Sequence, residues 1–136
     1  MSTPTYAHMG LNCRDIAVTE AFYCTHFGFT TARAIPIGDD QIVFLKAGNV
    51  YLELFSAKGE APDAPYINDG PPYPGFRHIA FTVEDVGATL KSIGDAAEVT
   101  LGPLAFDDFI PGWKSAWIRD PDGRIIEVSQ GYRDAN

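Results

Sequence analysis

The chain has 136 residues, enough for one ordinary domain or two small halves, because a chain of this length buries roughly two thirds of its unfolded surface. Apolar residues make up 46% and charged residues 21%, which excludes a disordered or membrane-spanning composition, and ten Lys plus Arg against 18 Asp plus Glu give a net charge of -8 that repels nucleic-acid backbones. The opening Met1-Ser2-Thr3-Pro4 lacks the basic and apolar stretches of a secretory signal, and the two cysteines, Cys13 and Cys24, read as small buried thiols, so a cytoplasmic protein is expected.

In chain order, the apolar alternation around His8 predicts a strand. Asp15 then offers an N-cap to a helix carrying Val18, Phe22, Tyr23 and Phe27 at helical spacing and stopping at Gly28. Residues 29–37, 41–46 and 50–55 read as three strands, with Asp39-Asp40 and Gly48-Asn49 as the turns between them. Residues 57–75 hold five prolines and three glycines, a composition that interrupts helix and central sheet and marks a linker. Beyond it a strand around His78 leads to the N-cap Asp85 and a helix with Val86, Leu90 and Ile93 ending at Gly94. The pattern is faint between Ala97 and Phe109. Residues 115–119 and 124–130 then flank an Asp-Pro-Asp-Gly turn at 120–123. The reading is βαβββ twice: a first module over 1–56, the linker at 57–75, and a second module over 76–136.

The halves also match residue by residue. Residues 6–16 overlay residues 76–86 at an offset of 70, bringing His8 onto His78 and Asp15 onto Asp85, and residues 48–55 overlay 122–129 at an offset of 74, bringing Glu53 onto Glu127. Alternation along a strand places His8 on a face with Tyr6 and Gly10, and Glu53 on a face with Tyr51 and Phe55. A glutamate inside Tyr-Leu-Glu-Leu-Phe or Ile-Ile-Glu-Val costs several kcal/mol to desolvate unless a cation offsets it. Two imidazoles and two carboxylates repeated in register therefore point to one divalent transition metal, Zn, Ni, Co, Mn or Fe, rather than Mg or Ca, which prefer all-oxygen shells.

Five segments, His8-Met-Gly-Leu-Asn, Phe22-Tyr23 closing at Phe27-Gly28-Phe29, Leu52-Glu53-Leu54, His78-Ile-Ala-Phe-Thr-Val and Asp120-Pro-Asp-Gly-Arg-Ile-Ile-Glu127, together resemble the vicinal oxygen chelate superfamily. That superfamily includes glyoxalase I, methylmalonyl-CoA epimerase, extradiol dioxygenases and the fosfomycin and bleomycin resistance proteins. The resemblance implies an α+β fold of paired βαβββ modules whose curved mixed sheets surround a metal cavity, a homodimer, and ligands at His8, Glu53, His78 and Glu127. The full His-Glu-His-Glu set looks like that of glyoxalase I. It implies a lyase or isomerase transferring a proton on a small α-hydroxycarbonyl or thioester substrate, with Glu127, or else Glu53, as the base. An Fe(II) extradiol-type dioxygenase and a small-molecule-binding resistance protein are the alternatives. The Lys-Gly-Gly loop of glyoxalase I proper is missing; Phe106-Asp-Asp-Phe-Ile-Pro-Gly-Trp113-Lys114 stands there, which counts against glutathione as a cofactor. Phe106, Phe109 and Trp113 are candidates to roof a substrate pocket.

Overall fold

In a computed structural model, which describes residues 2–136, the chain forms two compact units that divide between residues 62 and 63. The first unit holds strand β1 (His8–Cys13), helix α1 (Ile16–Phe27), and strands β2 (Thr30–Ile37), β3 (Asp40–Ala47) and β4 (Val50–Ser56). The second repeats that order with β5 (Ile79–Thr82), α2 (Val86–Ile93), a 3-10 turn at Gly94–Ala96, β6 (Val99–Ala105), β7 (Lys114–Arg119) and β8 (Ile125–Gln130). Each unit is one four-stranded mixed sheet, ordered β1-β4-β3-β2 and β5-β8-β7-β6, in which the first and last strands pair in parallel and the other pairs are antiparallel. The fold class is α+β. No helix among the described residues is long and apolar enough to cross a membrane.

Each helix starts and stops where its end residues dictate. Asp15 stays extended, and its carboxylate accepts from the backbone N–H of Ala17 (3.0 Å) and Val18 (3.4 Å). Gly28 closes α1 in the left-handed conformation, with its N–H on the Tyr23 carbonyl. Asp85 repeats the first device on Ala88, at 2.9 Å, and the side chain of Gln130 takes the Val86 N–H at 2.7 Å. The buried stripe of α1 is Ile16, Thr19, Phe22 and Tyr23, not one running through Val18, which is half exposed. That face lies on β3 and β4, where Val43, Leu45, Leu52 and Leu54 are buried together with Leu11 and Cys13 of β1. In the second unit Val86 and Ile93 bury against β7 and β8, over Ala116, Ile118, Ile126 and Val128. One sheet face in each unit is thus spent on its helix, and alternation turns Glu53 and Glu127 to the other.

The turn between β7 and β8 is built around a buried carboxylate. Asp120 Oδ1 accepts from the N–H groups of Asp122 (2.8 Å) and Arg124 (3.0 Å), and its Oδ2 meets Arg124 Nη1 at 2.6 Å. Its side chain is wholly buried, so each contact replaces water that cannot reach it. Asp120→Asn keeps an acceptor but loses the ion pair, and is expected to lower stability by about 2 kcal/mol in urea unfolding.

The proline-rich segment is firmly tied on its C-terminal side. Arg119 donates to the Tyr66 carbonyl from Nε (3.1 Å) and Nη2 (2.7 Å), Thr100 Oγ1 donates to the Asn68 carbonyl at 2.6 Å, and Arg77 Nη1 meets the Asp69 carboxylate at 2.9 Å. Residues 66–69 are therefore a strap on the second unit.

Candidate metal centre

In the first unit β1 and β4 run side by side with Gly10 opposite Glu53, so His8, two residues ahead of Gly10, shares the face of Glu53. His8 Nε2 stands 2.8 Å from Glu53 Oε1, and the ring packs edge-on against Phe44, which lies opposite Glu53 on β3. In the second unit Ala80 stands opposite Glu127 and His78 precedes Ala80 by two, the same relation again. His78 Nε2 is 2.9 Å from Glu127 Oε1, and Trp117, opposite Glu127 on β7, packs edge-on against His78 at 6.3 Å between centroids. Register thus turns the sequence repeat into two equivalent imidazole–carboxylate arms. Among the described residues no group of three or more His, Cys, Asp or Glu side chains is gathered to hold a metal, so each arm is described by itself.

The donor chemistry of each arm fits a transition metal. Two atoms bound at about 2.0–2.1 Å to one ion, at right angles, stand about 2.9 Å apart, the separation seen in both arms. A hydrogen bond spans the same distance, and the other side of the His78 ring shows how the imidazole is oriented. Its Nδ1 is 2.6 Å from the main-chain carbonyl of Asp69. A carbonyl only accepts, so Nδ1 carries the proton; Nε2, facing the carboxylate, is a donor in the imidazolium form and a free lone pair in the neutral form. In the neutral form the lone pair and the carboxylate oxygen together make a two-donor seat for a metal ion; in the imidazolium form they make an ion pair. A histidine that donates from one nitrogen to a carbonyl while presenting the other is the arrangement that orients metal-bound imidazoles. Glu127 is oriented too: the hydroxyl of Ser115, a fully buried residue, donates to its Oε2 at 2.7 Å and lies 2.9 Å from the Ser129 hydroxyl.

Neither Asp69 nor Ser115 is marked by the sequence repeat. Asp69 acts through its main chain, which has no residue signature. Ser115 had a signal that went unread: a small hydroxyl in Lys-Ser-Ala-Trp-Ile-Arg, two residues from Trp117 and so on the face of Glu127.

Of the three aromatic candidates, Phe106 and Trp113 stack at 4.8 Å, and Phe106 reaches Trp117 at 6.5 Å, which continues the line of rings to His78. Phe109 sits at the tip of the intervening turn and is 78% exposed, outside that cluster. Asp107 is a turn cap, accepting from the Gly112 N–H at 2.8 Å. The indole N–H groups of Trp113 and Trp117 are buried and make no hydrogen bond among the described residues.

The family description "Glyoxalase/Bleomycin resistance protein/Dioxygenase superfamily" matches residues 5–128. The chain belongs to this superfamily. Its superfamily relatives include the YaeR protein of Escherichia coli (strain K12), 30% identical over 128 residues, which cover 89% of this chain and 92% of that one. Among solved structures, the glyoxalase family protein from Enterococcus faecalis is 29% identical, with a TM-score of 0.67, over 92% of this chain and 96% of that one. The fosfomycin resistance protein FosX from Mesorhizobium loti, at 17% identity and a TM-score of 0.66 over 93% of this chain and 91% of that one, shares the glyoxalase/bleomycin resistance/dioxygenase fold.

Proposed function

We propose that His8, Glu53, His78 and Glu127 together hold one divalent transition metal ion, and that the protein is a glyoxalase-like lyase or isomerase. Its substrate would be a small molecule with adjacent oxygens, an α-hydroxycarbonyl or a thioester. The observation that carries this reading is the Asp69 carbonyl on His78 Nδ1, 2.6 Å away, which takes up Nδ1 and turns Nε2 toward Glu127 as the ring nitrogen available to a metal. When bound, the ion supplies a Lewis acid for the charge that develops on substrate oxygens as a neighbouring carbon loses its proton.

The chain's own residues supply the rest. The two imidazoles and one carboxylate orient the ion, and the remaining carboxylate takes the proton on an Oε atom and returns it to the adjacent carbon. The apolar wall of Phe106 and Trp113 limits access of water, which strengthens that charge interaction. Retention of two carboxylates in the donor set favours this redox-neutral chemistry over oxygen activation by a two-His, one-carboxylate site.

The test is metal analysis of protein purified without chelator, followed by incubation of the metal-loaded protein with hydroxyacetone, glycolaldehyde and simple acyl thioesters in deuterated water. Loss of α-proton signal that requires the metal is expected. A stoichiometrically loaded protein that exchanges no proton in any of these compounds overturns the proposal.

A further inference from the structure

In the first unit, strand register carries two cations onto the face of the His8–Glu53 pair. Glu53, Phe44 and Arg33 stand opposite one another across β4, β3 and β2, and His8, Tyr51 and Lys46 do so across β1, β4 and β3. Arg33 and Lys46 are diagonal neighbours on adjacent strands, a relation that sets such residues about 7 to 8 Å apart. Side chains of their length can meet on one anion at that separation.

Neither cation is held by a carboxylate. The chain has 18 acidic residues against ten cationic ones, and Arg14, Lys58, Arg77, Arg119 and Arg124 each stand within 4.0 Å of an Asp or Glu oxygen. Among the described residues Arg33 and Lys46 have no such partner. Lys46 is also turned along the sheet: its Nζ lies 5.4 Å from the ring centroid of Tyr51, the residue opposite His8, so the ammonium is laid toward the arm. Between the cations and the arm the floor is apolar. Phe44 separates Arg33 from Glu53 in its row and meets the His8 ring edge-on at 5.7 Å. Ile42 and Phe55, two residues along the same strands, are half-buried like it.

We infer that Arg33 and Lys46 form a carboxylate-binding subsite, and that the small molecule this protein takes carries a carboxylate on a short apolar body lying across Phe44. Phosphate sites recruit main-chain N–H groups, as helix N-termini and glycine-rich loops do. A sheet face offers none, because strand N–H groups lie in the plane of the ladder. One guanidinium fork and one ammonium suit the two oxygens of a carboxylate. Binding of the acid needs only residues of the first unit and no metal. As a statement about substrate it rests on the reading above that the His8–Glu53 face is where reaction occurs, and it narrows that substrate to an acid that also bears the adjacent oxygens.

The experiment uses the full-length protein without added metal and three probes of similar shape: 3-phenylpropanoate, its amide, and 2-phenylethyl phosphate. Dissociation constants are read from 15N–1H resonances during titration. The acid should bind about tenfold or more tightly than the amide, the gain expected of a charge-assisted contact, and should move the backbone signals of Phe44, Lys46 and Tyr51. Arg33 and Lys46 are both exposed, so the double variant Arg33→Gln, Lys46→Gln keeps the fold; it should lose the preference for the acid and leave the constant for the amide unchanged. Lys58→Gln removes a cation of the same unit that is paired with Asp40, and should change none of the constants.

Equal binding of acid and amide, a preference that survives in the double variant, or shifts that map away from β3 and β4 overturns the subsite. Tighter binding of the phosphate than of the acid overturns the choice of carboxylate. Zinc uptake is measured separately. A protein that takes up no zinc yet prefers the acid in this way keeps the subsite and loses the lyase, and one that binds zinc without that preference loses the subsite alone.

Discussion

Replacing Gly70 with alanine is expected to destabilise the protein by about 4 kcal/mol and to weaken zinc binding about tenfold. Gly70 has φ of +113°, a conformation that L side chains rarely adopt, and a Cβ built there falls 2.0 Å from the carbonyl oxygen of Arg77. That obstacle is main chain, so no rotamer change clears it and the turn itself has to open. Opening pulls on the neighbouring Asp69 carbonyl, which orients His78 from 2.6 Å. The control lies in the same proline-rich segment. Gly59 also has positive φ, +84°, but a Cβ there meets nothing within 4 Å. Gly59→Ala therefore carries only the left-handed backbone penalty of about 1 to 2 kcal/mol and leaves zinc affinity unchanged. Urea unfolding and chelator competition on both variants check this, and equal losses in the two would show that the strap does not serve His78.

The strap also marks where the sequence stopped being readable. Side-chain identity is what a repeat preserves, so the offsets of 70 and 74 found both arms, and strand register then put His8 beside Glu53 and His78 beside Glu127. Main-chain acceptors leave no such trace. Residues 57–75 announce only that they are neither helix nor strand, and that the stretch at 66–69 is bound through Tyr66, Asn68 and Asp69 depends on partners far along the chain at Arg119, Thr100 and His78.

Strand β6 was obscured for a different reason. Gly102 and Pro103 interrupt its pattern, and its register against β7 shifts between Val99 and Leu101 and again between Leu101 and Leu104. Pro103 lacks the N–H that a central strand needs, but β6 lies at the sheet edge, where a missing donor is tolerated. Helix α1 misled by one residue. Val18 looks like core by composition, yet the helix begins at Ile16 and its inward positions fall on Thr19, Phe22 and Tyr23, leaving Val18 50% exposed. The threonine is fully buried, so hydrophobicity and position disagree there and position wins.

Adding zinc should raise the thermal unfolding midpoint on the order of 10 °C when the free ion stands at one hundred times its dissociation constant. A ligand that binds only the folded state contributes about 2.7 kcal/mol at that excess, and a chain of this length shifts by a few degrees for each kcal/mol. The arms give the shift its specificity. Magnesium keeps its waters and prefers oxygen donors, so the same concentration should move the midpoint by less than about 1 °C. Glu127→Gln should remove most of the zinc effect, because it takes the charge from the carboxylate that Ser115 aims at the site. In the metal-free protein the same substitution should cost less, since an amide of the same shape still fills the place 2.9 Å from His78 Nε2. A loss that is larger with zinc than without is what a metal ligand produces and a structural ion pair does not. A variant that loses stability equally with and without zinc would identify the His78–Glu127 contact as a salt bridge of the fold.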